Sequence, residues 1–188
     1  MISAVVQTNA LLDPRRLPRP RYAHVPQLRV GTVSKHVRPR VSKRDARHYF
    51  HRLKLGAAWR PYLAHPPVYK NGKKMYPRHV TAAMGLGPSS GWAQALTDQT
   101  TQAAALPVGA RVLIDEPIPP HGPWWGSIVD DVWAIDTVEE PRGKEWCEAV
   151  EAAWTERGVE THAGKIVNEK EVEEVQGVWV HPATSSNS

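Results

Sequence analysis

Residues 127–136 read SIVDDVWAID, and the two adjacent acids at their centre, Asp130 and Asp131, decide how the rest of the chain is read. Apolar residues alternating around a short polar centre predict a β-hairpin. Carboxylates set among Ile128, Val129, Val132 and Trp133 lose much of their hydration, so they must take a proton, pair with a cation or bind a metal. Hard oxygen donors of this kind suit Mg²⁺ or Mn²⁺. Neighbours in a strand point to opposite faces, so only one of the pair can turn fully toward a partner across a sheet, and the reading takes Asp130. In an arbitrary protein, VDDV is more often a surface turn with two solvated acids.

A partner acid lies upstream. Arg40-Val41-Ser42-Lys43 reads as a short strand delivering Asp45, an acid alone in a basic stretch. ARHYFHRL follows, with Ala46, Tyr49, Phe50 and Leu53 on one helical face. Asn71-Gly72 between two strand-like runs predicts a type I′ hairpin. The segment from Gly85 leads to a helix over about residues 90–105, with Ser89 or Ser90 as its cap. ARVLIDEP reads as a buried strand. GKEWCEAVEAAWTERG is the clearest amphipathic helix, with Trp146, Val150, Ala153 and Trp154 on one face. VEEVQGVWVH reads as a closing strand. Residues 1–36, whose stretch LDPRRLPRPRYAHVPQL carries four prolines, predict an extended basic arm that adds little core. Residues 37–180 form the main domain, and 181–188 a disordered tail.

The chain has 188 residues, room for one domain with an arm. Its single cysteine, Cys147, excludes an internal disulfide and a cysteine-rich zinc site. No apolar run reaches the roughly 18 residues a membrane span needs, so a soluble intracellular protein without membrane contact is expected. Residues 1–80 hold 18 of the 24 Lys and Arg but only Asp13 and Asp45 as acids, whereas the remainder carries 17 acids. A front half of that sign collects polyanions, nucleic acid first, unless the acidic half of the chain neutralises it.

Several of these segments, in order, resemble motifs of retroelement reverse transcriptases of the long-terminal-repeat or tyrosine-recombinase type. Asp45-Ala46-Arg47-His48-Tyr49-Phe50-His51 resembles the first catalytic motif, Met84–Gln94 (MGLGPSSGWAQ) the second, and Ile128-Val129-Asp130-Asp131 the third. Gly158–Lys165 resembles the segment whose lysine lies near the triphosphate, and Val175-Gln176-Gly177-Val178 the primer-gripping strand. Thr8-Asn9-Ala10-Leu11 and Leu17-Pro18-Arg19-Pro20 are similar to segments of the fingers. The family carries an Asp and an Arg where Ala4 and Val6 stand here. A thumb and a ribonuclease H segment are expected to be absent.

The resemblance implies an α+β fold: a polymerase palm with an antiparallel sheet backed by helices, plus a partial fingers region. It implies RNA-directed DNA polymerisation by two-metal nucleotidyl transfer, with Asp45, Asp130 and Asp131 as catalytic residues and ligands of Mg²⁺ or Mn²⁺. Phe50, Gly85, Gln94 and Lys165 would bind the deoxynucleoside triphosphate. Arg40, Lys43, Arg47 and Gly177 would contact an RNA or DNA template and a DNA primer, and other parts of a retroelement polyprotein are expected partners. The alternative is an inactive palm that only binds nucleic acid. Weaker signals have plainer readings: His48 and His51 lack further zinc ligands at the right spacing, GLGPSSG lacks the G-K-[ST] ending of a phosphate loop, Ser89 and Ser90 read better as a helix cap than as a hydrolase nucleophile, and Trp124 and Trp125 suit packing at least as well as base stacking.

Overall fold

The computed structural model describes residues 8–17, 19–23, 38–137 and 141–182. The elements in chain order are β1 (Arg40–Asp45), α1 (Tyr49–Arg52), β2 (Val68–Lys70), β3 (Lys73–Met75), α2 (Ser89–Ala103), β4 (Trp124–Ile128), β5 (Asp131–Asp136), α3 (Gly143–Glu156), β6 (Val167–Lys170), β7 (Glu173–Val175) and β8 (Val178–Val180). This is an α+β fold with antiparallel sheets. Among the described residues no helix is long and apolar enough to cross a membrane. The chain divides into two compact units, one from the described residues of Met1–Pro20 with His48–Ala95, the other from those of Arg21–Arg47 with Leu96–Ser188.

The second unit is built on a four-stranded sheet in the order β4-β5-β1-β6. Strand β5 is central and apolar, and its alternation sends Trp133 and Ile135 to one face and Val132 and Ala134 to the other. On the first face Trp133 and Ile135 pack with Val41, Trp124, Val112, Ala23 and Val175. On the other, α3 lies against β1 and β5, burying Cys147, Val150, Ala153 and Trp154. Trp146 is only half-buried, and Cys147 takes its place in the packed stripe.

Two polar devices fix this second layer. The Asp136 carboxylate accepts the Arg142 and Gly143 N–H groups at 2.8 and 2.9 Å, so an acid at the end of β5 satisfies the amides that open α3. Arg44, 2 % exposed, donates to Glu151 of α3 at 2.7 Å, to the Val167 carbonyl at 3.1 Å and to Asn168 of β6 at 2.9 Å. A buried guanidinium satisfied in this way ties β1, β6 and α3 together.

In the first unit, Leu55, Leu63, Ala83 and Leu86 form a small core, with Leu12, Trp59 and Trp92 against it. Trp59 and Trp92 meet edge to face, their ring centroids 5.3 Å apart. The 3-10 helix Ala57–Leu63 brings Leu63 to zero exposure. β2 and β3 form the expected hairpin around Asn71 and Gly72, whose φ values of 52° and 73° are those a type I′ turn requires.

Several expectations from sequence are corrected. ARVLIDEP forms no strand: one isolated parallel bridge joins Arg111 to Trp125, and its donors go to different partners, the Val112 N–H to the Trp125 carbonyl and the Ile114 N–H to the Tyr22 carbonyl. VEEVQGVWVH is a hairpin, β7 and β8, turned at Gln176 and Gly177 with φ of 51° and 76°. The helix read over ARHYFHRL is the single turn α1, because Ala46 is still extended, bridged to Thr161, and His48 is left-handed. α2 opens on Ser89, whose hydroxyl is buried without a hydrogen bond, so the Ser89 cap does not form. The N-terminal arm does contribute to cores: Thr8 and Ala23 are buried, and Leu12 packs on the first unit's core. Residues 1–7, 18 and 24–36 of the arm and residues 183–188 lie outside the described residues.

Candidate active site

In the second unit, β1 and β5 are paired antiparallel with Val41 opposite Ile135, Lys43 opposite Trp133 and Asp45 opposite Asp131. Directly opposed residues project from the same face, so Asp45, Asp131 and Lys43 share one. The sequence reading gave that place to Asp130. Asp130 instead sits in the two-residue loop Val129–Asp130, which joins Ile128 of β4 to Asp131 of β5. Its backbone is nonetheless anchored at the same point, because the Ala46 N–H donates to the Asp130 carbonyl at 2.8 Å. All three acids therefore meet at the tip of the β1–β5 pair.

The loop that carries Asp130 is strained. Val129 has φ of 55°, a conformation a β-branched side chain adopts only at a cost of order 1–3 kcal/mol. The Thr97 hydroxyl of α2 donates to the Val129 carbonyl and holds it there. Neither residue stands out in the sequence. A valine where a hairpin loop ordinarily takes Asn or Gly is the signal that could have been noticed.

A fourth charge arrives from the segment after α3. The His162 N–H donates to the Asp45 carbonyl at 2.8 Å and the Arg47 N–H to the Glu160 carbonyl at 2.7 Å, which lays residues 160–165 alongside the end of β1. The 3-10 turn Ala163–Lys165 then directs Lys165, whose Nζ lies 2.7 Å from Asp45 Oδ2. The Asp45 carboxylate raises the Lys165 ammonium above its ordinary range.

Burial sets the charge state of the two neighbouring acids. Asp131 is pushed up to about 7 by desolvation, with Asp45 and Asp130 adding like charge and Lys43 and Lys165 opposing. Asp130 is raised for the same first reason, with Asp45 again adding. Asp131 Oδ1 is buried and has no hydrogen-bond partner. Among the described residues no group of three or more His, Cys, Asp and Glu side chains is arranged to hold a metal. The donor chemistry still fits a hard divalent cation: three carboxylates at one tip, one oxygen of them buried and unsatisfied, two with raised proton affinity.

The other residues singled out from sequence divide between the units. Lys43 donates to the Glu174 carbonyl at 3.1 Å and pairs with Glu173 at 3.7 Å. Arg40 and Arg47 are exposed, and Gly177 lies in the β7–β8 turn. Phe50, Gly85 and Gln94 belong to the first unit. There Phe50 is half-buried and Gln94 fully buried. Gly85, with φ of 86°, is held by Asn9, which donates to its carbonyl at 2.8 Å and accepts the Gly87 N–H at 2.7 Å. Asn9 thus clamps the glycine-rich loop ahead of α2, a role its place in the arm did not suggest.

Scanned against protein-family models and against curated proteins, the chain matches none.

Proposed function

We propose that the chain is the palm of an RNA-directed DNA polymerase, with its catalytic centre at the tip of the β1–β5 pair. The supporting observation is the meeting of Asp45, Asp130 and Asp131, which are separated by more than eighty positions in sequence but share one sheet end. Asp45, Asp130 and Asp131 would hold divalent ions, which supply activation of a primer 3′-hydroxyl and neutralisation of the leaving pyrophosphate. The protein's own contribution is positional. The strained Val129 loop fixes Asp130, the strand register fixes Asp131 against Asp45, and the raised proton affinities of the two acids favour an added cation over their bare charges. Lys165, kept protonated by Asp45, supplies a mobile positive charge for a triphosphate.

A second reading, a palm that binds nucleic acid without turnover, is favoured by one contact: Lys165 already neutralises Asp45. Primer extension on an RNA template with Mg²⁺ or Mn²⁺ separates the two. The polymerase reading expects extension that Asp45→Ala and Asp131→Ala abolish. Binding of primer–template with no extension in either metal would overturn it and leave the second.

A further inference from the structure

The positive charge of the front half has two different fates. Among the described residues of Arg21–Arg47 in the second unit, most bases are paired: Arg21 with Asp115 and Glu116, Arg38 with Glu171, Lys43 with Glu173, Arg44 with Glu151 and Arg47 with Glu160. Residues 48–95 of the first unit, by contrast, hold seven Lys and Arg and no Asp or Glu. Three of those seven, Lys70, Lys73 and Lys74, lie on the β2–β3 hairpin.

That hairpin buries nothing. All six of its strand residues are exposed. The register pairs Val68 with Met75, Tyr69 with Lys74 and Lys70 with Lys73. One face therefore presents Tyr69 and Lys74, and Tyr76, two residues past Lys74, continues it. Tyr69 is 74 % exposed and Tyr76 53 %. Lys74 Nζ lies 5.5 Å from the Tyr76 ring centroid, which holds cation and ring side by side. The opposite face carries Lys70 and Lys73. Aromatic rings left in water beside unopposed lysines, on a ribbon with no core of its own, have the composition of a surface that stacks bases and tracks phosphates. Flat rings need unstacked bases, which a duplex does not offer.

We propose that the β2–β3 ribbon binds single-stranded nucleic acid, stacking bases on Tyr69 and Tyr76 and holding phosphates with Lys70, Lys73 and Lys74. The inference goes beyond the polymerase reading, since it needs neither the carboxylates nor a divalent ion. The test uses the full chain and a labelled oligo(dT) or oligo(U) strand, with chelator present and nucleotide absent, followed by fluorescence anisotropy. Tyr69→Ala with Tyr76→Ala should weaken binding roughly five- to a hundredfold for each base unstacked, whereas Tyr→Phe at both positions keeps it. Replacing the three lysines by Ala should flatten the dependence of log K on log salt by about two, at roughly 0.7 per phosphate released. Asp131→Asn should bind as the wild type does, so loss of extension in that variant speaks to the catalytic site alone. Wild-type affinity in the Tyr→Ala pair overturns the proposal and leaves the exposed rings to a protein partner. A duplex of the same sequence binding as tightly as the single strand also overturns it.

Discussion

Replacing Asp131 by Asn removes one buried charge and keeps the shape of the side chain. In the folded protein the Asp131 carboxyl titrates at about 7, against an ordinary value of 3.8. Between those values the native state holds a proton that the unfolded chain has released. Stability therefore falls as pH rises through that window and levels above about 7. A shift of about three units at about 1.4 kcal/mol each sets a ceiling near 4 kcal/mol, reached only if the site does not relax. Asp45, Asp130, Lys43 and Lys165 surround the group, and their charges are already contained in that shift. The expected result, in chelator, is that Asp131→Asn has about the wild-type stability below about pH 4 and exceeds it by about 2–4 kcal/mol at about pH 8. Urea unfolding followed by tryptophan fluorescence at several pH values measures the difference. An Asn variant that tracks the wild type at every pH, or is less stable at alkaline pH, would refute the claim that this carboxylate is held in the fold at a cost.

Three further outcomes follow from the packing and the site. Arg44→Ala should destabilise the protein by about 2–4 kcal/mol in denaturant unfolding, because it empties the buried space of the guanidinium stem and leaves the Val167 carbonyl without this donor. Gly126→Ala should cost about 1–3 kcal/mol or more in the same assay, since its new Cβ would fall on the Trp133 ring and within 2.5 Å of the Ala23 Cβ. Lys165→Met should tighten Mn²⁺ binding, because Asp45 Oδ2 loses its ammonium partner, while lowering the rate of nucleotide addition; a variant in which both fall together would contradict the competition between the two cations.

The parts of the fold legible in the sequence were those with local causes. Asn71-Gly72 dictates its turn through φ alone, and the apolar period of GKEWCEAVEAAWTERG gives α3, which starts on its first residue and ends two residues before its last. The meeting of the acids was legible only through ordered motifs, because nothing local pairs Asp45 with a residue so far along the chain. What stayed hidden depends on partners distant in sequence. ARVLIDEP has the composition of a strand but meets a neighbour at a single bridge. The basic strand Arg40–Asp45 reads uniformly as a polyanion surface, yet alternation turns Arg44 inward, where it serves as a strut. Asp131 rather than Asp130 faces Asp45 because the loop is two residues long, a length that composition does not declare.

The claim on which the account rests is that the β1–β5 tip takes up divalent ions through Asp45, Asp130 and Asp131. Titration with Mn²⁺ followed by electron paramagnetic resonance, in the presence of primer–template and a matching deoxynucleoside triphosphate, measures it directly. The account predicts protein-bound Mn²⁺ in the wild type that Asp45→Asn and Asp131→Asn each lose. Equal Mn²⁺ uptake by the wild type and the variant carrying both substitutions would contradict it.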